Sequence, residues 1–197
     1  MLAKVSDFAQ VRESMRQLVL KARPIDQETF LELLARHDEF LATGGAGGHW
    51  QTFYLSNLIF GVYRNDPGIN PGGKQMVLNF YDLSALSLQE ISLAYANCAG
   101  ILCQESNWDK ADLEGSLFID SILNNCSFAQ ADLYAADFSR SEMRACNFRG
   151  ANCLHTDFEN CDLTGSDFRG AKTNAHTSFK GAVLADCQFD NHFSLNK

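Results

Sequence analysis

Ala111-Asp112-Leu113-Glu114-Gly115 and Ser116-Leu117-Phe118-Ile119-Asp120 open a run that continues in fives. It passes through Ala131-Asp132-Leu133, Ala136-Asp137-Phe138, Cys146-Asn147-Phe148 and Cys161-Asp162-Leu163 to Ser166-Asp167-Phe168. Each block begins with a small residue, usually follows it with Asp or Asn, and carries Leu or Phe at its centre. A fixed internal period outranks local propensity, because it means that one small structural unit is stacked on itself. A period of five fits neither the ~3.6-residue helix nor the ~2-residue strand, so the unit is a short extended piece followed by a corner. The central residue and the small one two before it then point inward, and the other three face solvent.

A longer period lies on top of the first. The centres run Leu113, Phe118, Leu123, Phe128, Leu133, Phe138, Met143, Phe148, Cys153, Phe158, Leu163, Phe168, alternating aliphatic and aromatic. If four blocks make one square turn, Phe118, Phe138 and Phe158 stack on one wall and Phe128, Phe148 and Phe168 on the opposite one. Leu113, Leu133 and Cys153 line a third wall, and Leu123, Met143 and Leu163 the fourth. Coils separated by the ~4.8 Å of neighbouring strands then enclose a dry core without a second layer. A three-sided coil would mix Leu and Phe on every wall.

These residues resemble the pentapeptide-repeat family, whose motif is Ala, Asp or Asn, Leu and two variable residues. The match runs in one frame from about Tyr81 to Ala175 and resumes after a one-residue slip at Phe179, Leu184 and Phe189. The resemblance implies an all-β fold, a right-handed quadrilateral β-helix solenoid, with little or no enzymatic activity. The chain departs from the motif where Leu102, Leu117, Ile122 and Val183 replace Asp or Asn, and where Trp108, Cys98, Cys103 and Cys153 occupy centres.

The 197 residues suffice for one well-buried solenoid and a small cap. No apolar run reaches the ~20 residues of a membrane span. The start, MLAKVSDFAQ, lacks a secretory apolar region, so the chain is expected to be cytoplasmic. The seven cysteines all fall at inward positions and read as small core hydrophobes in a reducing compartment. Cys126 and Cys146 stack on adjacent coils, where a disulfide is geometrically conceivable. Residues 1–81 balance eight acidic against eight basic side chains, whereas residues 82–197 carry sixteen acidic against eight basic. The formal charge of -8 therefore belongs to the solenoid, which excludes direct nucleic-acid binding and permits a basic protein partner.

Before the repeats, Val5 to about Arg23 reads as an amphipathic helix ended by Pro24, and Asp26 caps a second helix bearing Phe30, Leu33, Leu34, Phe40 and Leu41. A bare solenoid end exposes unpaired strand groups, so residues 1–48 are assigned to an N-terminal two-helix α cap. The glycines at 44–48 form its hinge. Residues 49–80 read as degenerate first coils with Phe53, Leu58 and Tyr63 in frame and an exposed loop at 64–74. Residues 81–197 are the pentapeptide-repeat solenoid, with a corner bulged outward by the slip near His176.

Reactive constellations are not legible. Gly44 to Gly48 and Pro71-Gly72-Gly73-Lys74 do not complete a phosphate-loop spacing. The histidines His37, His49, His155, His176 and His192 show no paired spacing, and neither a metal nor any other cofactor is implied. Surface departures are better candidates. Leu102 and Ile122 stack on one wall with Leu117 and Ile119 on the adjoining one, giving an apolar patch that is either an interface or the seat of a cap helix or loop. Tyr134 lies above Leu154, and Asp120, Asp137, Asp157 and Glu159 form an acidic strip interrupted by Arg140.

The expected function is a non-enzymatic protein-protein interaction module, with a protein partner and no membrane span. One alternative, implied by the resemblance, is a DNA mimic that modulates a type II topoisomerase such as DNA gyrase. Against it stand Arg149 and Arg169, which stack into a basic interruption, and the shortness of the tail after Phe189, which favours a monomer over a dimer. A further alternative is a bacterial effector or targeting platform whose N-terminal helices carry an address.

Overall fold

In a computed structural model of the chain, the described residues are 6–43 and 75–190, with side chains from residue 10 onward. The expected hinge at 44–48, the in-frame residues Phe53, Leu58 and Tyr63, the loop at 64–74, the tail from 191, and His49 and His192 lie outside the described residues.

The elements occur in the order α1 (Ser6–Val19), β1 (Arg23–Pro24), α2 (Gln27–Ala42) and β2 (Tyr81–Asp82). From Val77 onward the chain makes ladders of isolated parallel bridges, each joining a residue to the one twenty further on until Asn152 and twenty-one further on from Asp157. Four such ladders recur, through Ser92, Asp112, Asp132 and Asn152; Asn97, Leu117, Asp137 and Asp157; Leu102, Ile122, Glu142 and Asp162; and Asn107, Ser127, Asn147 and Asp167. Each coil therefore has four walls, named here the Asp112, Leu117, Ile122 and Ser127 walls.

The interior follows from the alternation of centres. One ring ladder runs Phe118, Phe138, Phe158, Phe179 with stacked centroids 5.0, 5.6 and 5.2 Å apart. The other runs Trp108, Phe128, Phe148, Phe168, Phe189 at 6.1, 5.3, 4.5 and 5.3 Å. The two ladders meet edge to face across the axis, as between Phe128 and Phe138 at 5.8 Å. Offset stacking along a ladder and edge contacts between ladders are the arrangements that ring quadrupoles favour.

The motif's polar positions have structural duties that the sequence reading assigned to solvent. The Asp or Asn before each centre accepts the backbone N–H two residues on, as Asp132 does from Tyr134 at 3.0 Å and Asp167 from Arg169 at 3.0 Å. That side-chain turn preforms the corner. A hydroxyl or thiol at the small position donates to the centre carbonyl one coil earlier: Ser141 to Phe118 at 2.7 Å, Thr156 to Leu133 at 2.8 Å, Cys161 to Phe138 at 2.8 Å. Small size is thus half of the requirement; a donor at that position satisfies a buried carbonyl.

The corner itself sits two residues after the centre, where the backbone turns left-handed. Among the described residues fourteen other than glycine adopt positive φ there, including Lys110, Asp120, Ala135, Ala145 and His155. Their amides bond the next coil, as Lys110 N–H does to Ala129 at 2.9 Å, so the coil-to-coil ladder holds a conformation that isolated L residues disfavour.

The slip behaves as expected. Asn152 still bridges Lys172, twenty residues on, but Asp157 bridges Ser178, twenty-one on. Asn174 absorbs the extra residue by accepting the amides of His176 and Thr177 at 3.0 and 3.1 Å, while Thr177 returns to the small position with its hydroxyl on the Cys153 carbonyl at 2.7 Å.

The two N-terminal helices do different things. α2, capped by Asp26 as read from sequence, meets the first coils: its Phe30 belongs to the same apolar cluster as Met76, Leu78 and Leu83, and Gln27 accepts the Ser87 amide at 3.4 Å. Its buried His37 bonds the Ala94 carbonyl through Nε2 at 2.9 Å and accepts the Met76 N–H on Nδ1 at 3.0 Å. α1, expected to cover the end with α2, lies against the side of the coils instead. The reason is β1, which pairs in parallel with Tyr81 and Asp82 at the start of the Ile122 wall and delivers the preceding helix onto that wall.

Candidate functional site

The Ile122 wall, the Leu117 wall and the corner between them gather most of the sequence's candidate residues. Leu102 bridges Ile122 as expected, and Leu117 lies on the adjoining wall. The patch is not open: Ile122 is 3% exposed and Ile119 7%, and Leu102 and Leu117 are half-buried. Of the patch residues, Ile122 is the one that α1 meets. Arg12, Met15 and Arg16 of α1 face Asp120, Ser121, Ile122, Arg140 and Glu142 across a narrow cleft.

Polar contacts hold α1 on that wall. Arg16 Nε donates to Glu142 at 2.6 Å, and Arg12 reaches the Asn160 carbonyl at 2.9 Å and the Arg140 carbonyl at 3.5 Å. Arg140 turns its own guanidinium the other way, onto both oxygens of Asp120 at 2.8 and 2.7 Å.

The acidic strip is less free than its spacing suggests. Asp120 is engaged by Arg140, Asp137 accepts the Ser139 amide at 2.8 Å, and Asp157 accepts the Glu159 amide at 2.7 Å. Burial raises the Asp157 carboxyl above the ordinary carboxylate range, its Glu159 amide bond opposes this, and the Asp137 charge one coil away raises it further. Glu159 accepts from the Ser178 hydroxyl at 3.2 Å. Other acids carry arginines too: Asp162 pairs with Arg144 at 2.6 Å, and Asp167 with Arg169 and Arg149 at 2.6 and 3.2 Å. Hydrogen bonding from Arg169 holds the Asp167 carboxyl well below its usual range. The expected basic interruption at Arg149 and Arg169 is therefore a shared clamp on one carboxylate.

Tyr134 is 37% exposed. Its ring packs on His155 at 5.2 Å, and His155 stacks on His176 at 4.7 Å. Sequence spacing concealed this row because the inserted residue places His176 twenty-one residues after His155, outside the five-residue frame.

Reactive groups are committed elsewhere. Cys126 donates to the Cys103 carbonyl at 2.7 Å and Cys146 to the Leu123 carbonyl at 3.1 Å, and all seven cysteines are free thiols. Burial pushes the thiols of Cys98, Cys153 and Cys161 well up, which suppresses the thiolate needed for reactivity. Among the described residues no group of three or more His, Cys, Asp or Glu side chains is arranged to hold a metal. Nor is any described helix long and apolar enough to cross a membrane.

The stacked coils and their periodic bonds define a repeat protein whose turns are built from five-residue blocks. A pentapeptide-repeat profile matches at residues 96–133, 111–150 and 141–172, with eight copies. Residues 96–172 thus carry the repeats of the pentapeptide-repeat family.

Solved structures similar to this chain are pentapeptide repeat proteins. One from the Arabidopsis thaliana thylakoid lumen is 26% identical over 48% of this chain and 62% of its own, with a TM-score of 0.40. Rfr23 from the cyanobacterium Cyanothece 51142 is 20% identical over 53% of this chain and 64% of its own, with a TM-score of 0.36. QnrB1, a plasmid-mediated fluoroquinolone resistance protein, is 21% identical over 59% of this chain and 56% of its own, with a TM-score of 0.35. The chain thus spans less than two thirds of each of these three structures. No curated protein matches it.

Proposed function

We propose that the chain is a non-enzymatic protein-protein interaction module: a right-handed, four-sided β-helical rod, closed at its N-terminal end by α2, that presents side walls to another protein. The observation that carries this reading is the use made of reactive side chains. Thiols donate to centre carbonyls, His37 is bonded to backbone through both ring nitrogens, and the wall carboxylates close turns or pair with arginines. Among the described residues these groups serve the fold, and a periodic surface is what the coils present outward, which is how repeat proteins recognise partners.

The test is capture of a protein partner by the full chain, followed by titration of the two purified components. Substitutions at wall positions, such as Tyr134→Ala or Glu142→Ala, are expected to weaken that binding at least fivefold while leaving the circular dichroism spectrum unchanged. A turnover activity abolished by one substitution that leaves the fold intact overturns the reading.

The sixteen acidic side chains of residues 82–197 favour one second reading, a DNA mimic acting on a type II topoisomerase. The arginine partners of Asp120, Asp162 and Asp167 weigh against it, because they neutralise the field that a phosphate mimic must present. A gyrase supercoiling assay decides: unchanged supercoiling at micromolar protein removes this reading, and inhibition or protection of gyrase moves it ahead of the first.

A further inference from the structure

The Ile122 wall departs from the motif in three consecutive coils. Elsewhere the residue before the centre is usually Asp or Asn and closes the corner, as Asp112, Asp137 and Asn147 do for Glu114, Ser139 and Arg149. On this wall Asp82 and Asp162 still do so, for Ser84 and Thr164, but the three coils between them carry Leu102, Ile122 and Glu142. Three consecutive coils of one wall have given up a bond that preforms the turn. In exchange the wall offers an apolar and an acidic side chain to whatever lies on it.

What lies there is α1. Met15 faces Ile122, Arg16 one residue on meets Glu142, and Arg12 one turn back reaches the carbonyls of Arg140 and Asn160. An apolar residue flanked by arginines at i−3 and i+1 is thus matched to an apolar coil followed by an acidic one. The hold is modest. The Arg16 and Glu142 side chains are 41% and 19% exposed, a setting in which ion pairs contribute little. The helix has fourteen residues, about the length at which an isolated helix is marginal. Leu20, Lys21 and Ala22 separate it from β1, so α1 stays at high local concentration however briefly it lets go.

We infer that the Ile122 wall is a docking site for a basic amphipathic helix of a partner protein, and that α1 is its resident occupant in the free chain. This rests on the interaction-module reading and deepens it: the partner helix offers an apolar side chain at Ile122 and a guanidinium at Glu142, and binds by displacing α1.

Full-length Arg12→Glu/Arg16→Glu protein tests this, with a fluorescein-labelled peptide of the Ser6–Val19 sequence as the probe. Amide exchange is expected to speed up at least fivefold in α1 while residues 111–170 keep wild-type protection. Fluorescence anisotropy is expected to give peptide affinity at least tenfold tighter for the variant than for the wild type, whose own helix competes. Adding Ile122→Asn, which returns the motif residue and its turn bond, is expected to abolish the gain without loss of fold. The inference is overturned if α1 exchanges as slowly in the charge-reversed chain as in the wild type. It is equally overturned if α1 is released and the peptide does not bind, or binds regardless of Ile122→Asn. Because the probe is a defined peptide, these outcomes leave partner capture by the other walls to stand or fall separately.

Discussion

The coils from Leu113 to Phe168 and the N-terminal helices are stabilised in opposite ways. In the coils every position has a counterpart twenty residues away, so a ring, a hydroxyl or a corner amide finds its partner by repetition. The helices have no such counterparts. α2 is joined by His37 and Phe30, and α1 by two arginines, each contact made once. Repetition yields a core that is regular and redundant; single contacts yield attachments that can be tuned or released individually.

Removing a ring breaks that contrast most directly. Phe148 is fully buried, stacked between Phe128 and Phe168 and touching Phe158 edge-on. Phe148→Ala is expected to cost about 4 kcal/mol in urea denaturation, within the usual range for a ring deleted from a close-packed core. A cost under about 1 kcal/mol would mean that the coils flanking it collapse freely, and that the interior is not the rigid partner in the comparison.

His37 sharpens the other side. Burial lowers its pKa from the ordinary value of 6.5, with the Ala94 carbonyl bond and the Asp38 and Asp112 charges opposing the shift, and the neutral ring keeps Nδ1 free to accept the Met76 amide. The unfolded chain therefore takes up a proton first as pH falls. The stability that depends on neutral His37 is complete above about pH 6.5 and is lost progressively as pH falls toward the folded-state pKa. His37→Gln is expected to cost about 2 kcal/mol at pH 7.5, the usual penalty for leaving buried backbone groups poorly bonded. The discriminating measurement is the slope of stability between pH 7 and 5.5, which should flatten in the variant.

Much of this molecule could be read from sequence because repetition multiplies each signal. One Phe among leucines says little, but alternation over Leu113 to Phe168 specified four walls and both ring ladders, and the frame break after Ala175 located the bulge. Asp26 also announced α2 through its capping chemistry. The misses are single events. Nothing periodic indicates that Arg23 and Pro24 would pair with Tyr81 and Asp82, and without that pairing α1 cannot be assigned to a side wall. The apolar patch of Leu102, Leu117, Ile119 and Ile122 was visible, yet the seating of α1 at Ile122 was not. The His155 and His176 stack escaped because the insertion shifts the register that would have revealed it.

Ion pairs divide along the same line, with smaller effects. The Arg140 and Asp120 side chains are 22% and 10% exposed and make two parallel bonds, whereas Arg144, facing Asp162, is 61% exposed. Arg140→Ala is expected to lower stability by about 1.5 kcal/mol, as for a charge-assisted bidentate bond, and Arg144→Ala by about 0.5 kcal/mol or less. Equal losses in thermal melts would mean that burial does not grade these pairs.

The smallest effect isolates what repetition demands of the backbone. Ala135 turns its corner at φ 55° and is exposed, so it carries the left-handed conformation with no compensating packing. Gly165 turns an equivalent corner at φ 75°, and a Cβ there would meet nothing within 4 Å. Left-handed backbone costs an L residue about 1–2 kcal/mol, while glycine loses up to about 1 kcal/mol through its freer unfolded chain. Ala135→Gly should therefore stabilise by about 0.5 kcal/mol, and Gly165→Ala should destabilise by a similar amount. Gly115→Ala is the steric control, since its Cβ would lie 2.7 Å from the Tyr95 ring, and it should cost clearly more than Gly165→Ala. If Ala135→Gly instead destabilises, the freer unfolded chain of glycine outweighs the strain it relieves, and the coil-to-coil bond from Ala135 to Leu154 holds the left-handed corner at little cost.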